Sequence, residues 1–216
     1  MNCLIFDPAH GKNVVGKQSP DGKFKEYIWS RQMIRRIIKS FGTMALPFAI
    51  ESPFLGTIDE PGLRRRWARY NFIDKMYDNT LVLSLHTDAF KGQWWDGTGF
   101  SFFTSRENNQ SDKLAEILAT AIHQDMPEER IRKRTPYDVS KDKNFTVIAG
   151  YPNKQKPATY HAILIENGFM DSTEDIIKLT DDKWNKRLAD AYVIGILEMF
   201  YTLGDKSILP QLNIKS

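Results

Sequence analysis

A single cysteine among 216 residues is the first constraint. Cys3 has no partner within the chain, so an intrachain disulfide and a thiolate zinc framework are both excluded. Its place in the run Cys3-Leu4-Ile5-Phe6 reads as a small side chain buried in a strand. No apolar run approaches the roughly 20 residues that a bilayer-spanning helix needs, so no membrane span is expected. The N-terminus lacks the basic start, apolar stretch and small-residue cleavage site of a secretory leader. The expectation is therefore a chain made in the cytoplasm without a signal peptide. Charge of one sign is also scarce: 30 basic residues against 27 acidic leave +3. Such an excess suits an anionic partner, but wall polymer, nucleic acid and membrane surface all qualify.

With 41% hydrophobic residues the chain is long enough for one core, and a single domain is expected. Strand and helix patterns alternate along it. Strands are predicted at 3–7, 44–50, 80–85, 97–104, 145–149 and 162–165. Pro47 consigns the second of these to an edge or bulge. Helices are predicted at 24–41, from Glu60-Pro61 to about Asp78, at 111–125, after Ser172, and at 182–203. No internal repeat or low-complexity linker interrupts them. This alternation implies an α/β fold, a twisted and mostly parallel sheet with helices on both faces. Residues 1–204 form the expected domain and 205–216 a loose tail.

In such sheets ligands bind beyond the carboxyl ends of the strands, and chemistry-bearing residues should lie there. His10 follows the first strand, His86 ends Leu81-Val82-Leu83-Ser84-Leu85, and Glu166 follows Ala162-Ile163-Leu164-Ile165. A carboxylate placed straight after four apolar residues is costly to bury without a metal, a cation or hydrogen-bond donors. Two histidines and a carboxylate are a common ligand set for catalytic zinc, with the fourth position left for water. Glu26, in the first turn of the helix after the His10 loop, is the best candidate for the carboxylate, with Asp88 as the replacement. Glu166 then stays outside the ligand set as general base.

The remaining polar residues read more plainly. Asp7 orients the His10 loop. His123 belongs to a helix surface, and His161 stands at a strand start, the wrong end for the site. Arg64, Arg65, Arg66 and Arg69 read as a solvated helix face, and Arg130, Arg132, Lys133 and Arg134 similarly. Neither run has the aromatic interleaving of a nucleic-acid groove, so no nucleic acid is expected. Trp94-Trp95, between Gly92 and Gly97, reads either as core packing or as an aromatic pair that stacks on a sugar ring beside His86.

Four motifs carry a resemblance: Asp7-Pro8-Ala9-His10-Gly11, Lys25-Glu26, Ser84-Leu85-His86-Thr87-Asp88-Ala89 and Glu166-Asn167-Gly168-Phe169. In this order they resemble the zinc-dependent N-acetylmuramoyl-L-alanine amidases of bacterial wall hydrolases and phage endolysins. The family shows Asp-Pro-Gly-His-Gly, a glutamate opening the first helix, Ser-x-His-x-Asn/Asp-Ala and a late Glu-x-Gly-Phe. Ala9 replaces the usual glycine, which removes no ligand. The likeness runs from about residue 3 to about residue 200 and is loosest over 90–145. It implies Zn2+ on His10, Glu26 and His86, with Glu166 catalytic. It also implies a peptidoglycan hydrolase that cuts the amide between N-acetylmuramic acid and L-alanine by zinc-activated water. A monomer that reaches the wall after the membrane is breached, as in phage lysis, is expected. The rival functions are a zinc carboxypeptidase or aminopeptidase on wall peptides, and an inactive wall-binding module.

Overall fold

The computed structural model describes residues 1–105, 110–132, 140–142, 145–150 and 158–210. Lys133 and Arg134 of the second basic cluster lie outside these. The elements are β1 (Asn2–Pro8), α1 (Glu26–Ser40), β2 (Phe48–Glu51), α2 (Leu63–Asp74), β3 (Thr80–Asp88) and β4 (Phe100–Thr104). There follow α3 (Gln110–Asp125), β5 (Ser140–Asp142), α4 (Thr146–Ala149), β6 (His161–Phe169), α5 (Asp175–Thr180), α6 (Asp182–Thr202) and a 3-10 turn (Lys206–Ile208).

The six strands form one sheet in the order β2-β1-β3-β6-β4-β5. Neighbours run parallel except β4, which is antiparallel to β6. The sheet is thus mostly parallel, as the alternation predicted. Side-chain alternation divides its core in two. Leu4, Phe6, Leu81, Leu83, Leu85, Ile163 and Ile165 pack with α1, α3 and α6. Cys3, Ile5, Val82, Ala162 and Leu164 point the other way, to a smaller cluster with Tyr70 and Ile73 of α2 and Val147 and Ile148 of α4. The same parity carries Asp7, Ser84, His86 and Glu166 onto this second face, at the carboxyl ends of the three central strands.

Several boundaries differ from expectation. Phe145–Ala149, read as a strand, is the one-turn helix α4. Four apolar residues out of five, broken only by Thr146, carry no period that separates the two states. The second helix begins at Leu63 rather than Glu60, because Gly62 takes φ +78°, outside the helical region. The edge strand starts after Pro47, which has no N–H for the ladder. The supposed loose tail is anchored at its start: Asp205 accepts from Asn2 Nδ2 at 2.9 Å and Ile208 is buried. Among the described residues no helix is long and apolar enough to cross a membrane.

Candidate metal centre

The first ligand candidate stands on a loop bent sharply out of β1. His10 takes φ +39°, a left-handed conformation unusual outside glycine, which the surroundings must hold in place. They do so through Arg31 of α1, which is nearly buried. Its Nη1 donates to the Ala9 carbonyl at 2.9 Å and its Nη2 to the His10 carbonyl at 2.8 Å. Gly11 is required by close approach, because a Cβ there would lie 2.0 Å from Glu60 N. Ser30 ties the pieces together: its hydroxyl accepts from Ala9 N at 2.9 Å and donates to the Leu85 carbonyl at 2.6 Å.

Three candidate side chains converge on this point. The ligand atoms of His10, Glu26 and His86 all lie within 4.8 Å of one another. His86 Nδ1 and Glu26 Oε1 are 2.9 Å apart, and His10 Nε2 lies 3.6 Å from Glu26 Oε2. The two imidazoles meet edge to face, with centroids 5.0 Å apart. Glu26 opens α1, where a negative charge is favoured by the helix dipole. It is only 1% exposed, and its Oε1 also accepts from Thr87 N at 3.2 Å. Its Oε2 is buried and accepts no hydrogen bond among the described residues. A buried carboxylate oxygen left without a donor is expensive, and a cation aimed at by two imidazoles would satisfy it.

Glu166 stands beside the trio. It is the registered cross-strand partner of His86 in the β3–β6 ladder, so the sheet itself sets their spacing. Its Oε2 is a second buried oxygen that has no hydrogen-bond partner among the described residues. Burial pushes its carboxyl up to about 8, against the lowering effect of His86 and with help from the Glu26 charge. Burial alone would raise Glu26 as well, but the His86 hydrogen bond and charge, with His10, hold it below the ordinary carboxylate value. Burial is the largest influence on His86 and lowers it, but the Glu26 hydrogen bond and the charges of Glu26, Glu166 and Asp7 together outweigh that and raise it. Burial lowers His10 to about 4, which leaves it the neutral imidazole that metal binding needs. The donor set, geometry and unsatisfied oxygens therefore fit a divalent cation.

Under this cluster lies a buried ionic network. Asp7 accepts from Arg66, from Tyr70 and, at 2.5 Å, from Ser84. Arg66 also donates to the Pro8 carbonyl at 2.7 Å and pairs with Glu60 at 2.8 Å. The expected solvated face therefore needs correction at one position. Arg64, Arg65 and Arg69 are exposed, whereas Arg66 is 4% exposed and belongs to the floor of the site. Asp7 holds the strand end from which the His10 loop departs, as its position suggested. His123 is exposed on α3, and His161 begins β6, away from the cluster. Asp88 lies past a bulge that follows His86, and its Oδ1 accepts from Ala89 N at 2.8 Å.

A cavity of about 450 Å³ opens over the cluster, with His10, His86 and Glu166 in its wall. Lys17, Val14 and Leu63 contribute to its sides. Trp94 and Trp95 do not line it. Trp95 lies against Phe90 and Phe169 and donates from Nε1 to Asp171 Oδ1 at 3.0 Å. The other oxygen of Asp171 accepts from the N–H groups of Phe90, Lys91 and Gly92, each at 2.9 Å. Trp94 is left exposed on a loop that Asp171 fixes. Arg31, Arg66 and Asp171 were not singled out as parts of the site by the sequence patterns.

Solved structures share this architecture. The N-acetylmuramoyl-L-alanine amidase of Clostridium difficile 630 matches with a TM-score of 0.76 at 21% identity, covering 95% of this chain and 98% of that one. AmiC2 of Nostoc punctiforme, also an N-acetylmuramoyl-L-alanine amidase, gives 0.72 at 18% identity, over 92% and 97% of the two chains. The catalytic domain of CwlV, the corresponding amidase of Bacillus (Paenibacillus) polymyxa var. colistinus, gives 0.72 at 17% identity, over 93% and 98%. No curated protein matches the sequence. At these identities the likeness defines the fold class. The family model described as N-acetylmuramoyl-L-alanine amidase matches residues 4–198, and the chain belongs to that family.

Proposed function

We propose that this chain hydrolyses the amide between N-acetylmuramic acid and L-alanine in peptidoglycan, with Zn2+ held by His10, Glu26 and His86 and with Glu166 as general base. The observation that carries the reading is the pair of buried oxygens, Glu26 Oε2 and Glu166 Oε2, that receive no hydrogen bond among the described residues, beside two imidazoles at the carboxyl ends of the strands. When bound, zinc supplies a Lewis acid for the amide carbonyl and lowers the pKa of water toward about 7. Glu166 takes the proton of the attacking water on Oε2 and delivers it to the departing amine nitrogen. A carboxyl raised to about 8 suits a group that must accept and return a proton near neutral pH. Glu26 keeps its charge in the fold and orients the His86 ring through Nδ1, while Arg31 and Gly11 keep His10 turned inward. Trp94, exposed on its braced loop, is available to stack on the glycan.

The test combines metal analysis of the purified protein with digestion of peptidoglycan before and after chelation. The expected result is stoichiometric zinc, loss of digestion on chelation, and new L-alanine amino termini on the released stems. Release of a C-terminal amino acid would indicate a carboxypeptidase instead. Wall binding without any fall in turbidity would indicate a binding module. Glu166→Gln should retain zinc and lose about 10²- to 10⁴-fold in turnover, whereas His86→Ala should lose both zinc and turnover. Near-normal turnover in Glu166→Gln would remove Glu166 as the base.

A further inference from the structure

The cavity wall holds two cations in very different states. Arg66 is consumed by Asp7 and Glu60. Lys17 is half-buried in the same wall, and its ammonium makes no hydrogen bond or ion pair among the described residues. Its position is nonetheless built. The Lys17 carbonyl accepts from Glu26 N at 3.1 Å, which ties this residue to the first turn of the ligand-bearing helix. The turn beyond it is closed by Ser19, whose backbone N–H reaches the Phe24 carbonyl at 3.1 Å and whose hydroxyl accepts from Phe24 N at 3.0 Å. The ammonium is close enough for its charge to be felt at both His10 and Glu166. A cation in the side of a reaction cavity, carried on an anchored backbone and paired by none of the described residues, asks for an anion on the ligand.

We propose that Lys17 binds a carboxylate on the peptide flank of the substrate and so sets which way the substrate lies across the site. This rests on the amidase reading, and the chemistry of that substrate selects the flank. The muramic carboxyl is itself consumed in the scissile amide, and the glycan is neutral. Negative charge near the amide can therefore come only from the stem peptide, and the residue that follows L-alanine is the nearest position for it. The peptide then occupies the part of the cavity that Lys17 lines, and the glycan leaves away from it. Lys17 acts as a specificity residue for stems with a free carboxylate over stems amidated at that group.

Two muramoyl peptides identical except for a carboxylate or a carboxamide on the second stem residue provide the probe. Zinc-loaded wild-type protein should favour the acid by about tenfold in kcat/KM, the worth of one charge-assisted hydrogen bond in a half-exposed site. The difference should lie in KM, as for a group bound equally in ground and transition states, and should shrink as salt is raised. Lys17→Met should bring the acid-to-amide ratio close to one, and Lys17→Glu should drive it below one. Any L-residue retains the carbonyl that Glu26 N uses, so melting curves of both variants should stay near wild type. A wild-type ratio near one, or a Lys17→Met ratio equal to the wild-type preference, overturns the proposal while leaving the amidase reading intact. Wild-type protein that cuts neither compound at its muramoyl amide refutes the amidase reading, and the role of Lys17 with it.

Discussion

Replacing Arg66 with methionine tests whether the floor of the site is a structural keystone. The substitution keeps most of the side-chain length and removes the charge. It deprives buried Asp7 of its cation, the Pro8 carbonyl of a donor, and Glu60 of two contacts. Removing one partner of a buried ion pair costs about 3–5 kcal/mol. Asp7 keeps its bonds from Tyr70 and Ser84, so the lower end applies, about 3 kcal/mol. The Pro8 carbonyl adds about 1 kcal/mol. For a domain of this size the total of about 4 kcal/mol lowers Tm by roughly 8–16 °C. Urea unfolding monitored by tryptophan fluorescence reads the change as a shift in midpoint at constant slope. Much of the loss comes from an uncompensated Asp7 charge, so adding Asp7→Asn to Arg66→Met should recover about 2 kcal/mol. A single variant within about 1 kcal/mol of wild type would refute the reasoning. A double variant less stable than Arg66→Met would do the same.

Three further outcomes follow from the packing and electrostatics. Asp171→Ala strips the acceptor from three loop N–H groups and the Trp95 indole, so trypsin should cut after Lys91 in the variant under conditions that spare the wild type. Gly195→Ala should destabilise by about 1–3 kcal/mol despite alanine's better helix propensity, because a Cβ there would meet Leu118 Cδ1 at 2.8 Å where α6 crosses α3; an unchanged Tm would count against it. Burial pushes the Cys3 thiol from 9.0 up to about 12. The folded state therefore holds its proton where the unfolded state has lost it, so this group's contribution to stability is complete below pH 9 and declines as pH rises toward 12. Native protein at pH 8 should react with thiol reagents only after denaturant is added, and rapid native labelling would contradict the assignment.

The legible part of the site was the part placed by strand ends. His10, His86 and Glu166 each follow an apolar run, and a rule about parallel sheets suffices to gather them. Period-2 parity holds one signal more, since Asp7, Ser84, His86 and Glu166 fall on the same face once the register is known. Glu26 was reachable through its place in the first turn of α1 and through the family motif. Arg66 was not, because an arginine inside a run of arginines has the same local pattern whether it meets water or Asp7. Its burial is decided by Asp7, 59 positions earlier in the chain. Asp171 is similar: its four partners lie in a loop 76 to 81 residues away. The β4–β5 pairing and the helix at Thr146–Ala149 fall in the stretch where neither periodicity nor motif was distinctive.

The pairing of His86 with Glu166 across adjacent strands has a consequence for how this architecture tolerates change. Their separation is a lattice constant of the sheet, independent of any loop. Segments joining the strands can lengthen, shorten or be exchanged, altering what enters the cleft while these two side chains stay in place. A one-residue slip of β6 against β3 is different in kind: it would turn Glu166 through the sheet toward α1 and put Ile165 or Asn167 in its stead. Diversification is thereby channelled into the rim, and the ladder beneath it acts as the invariant ruler.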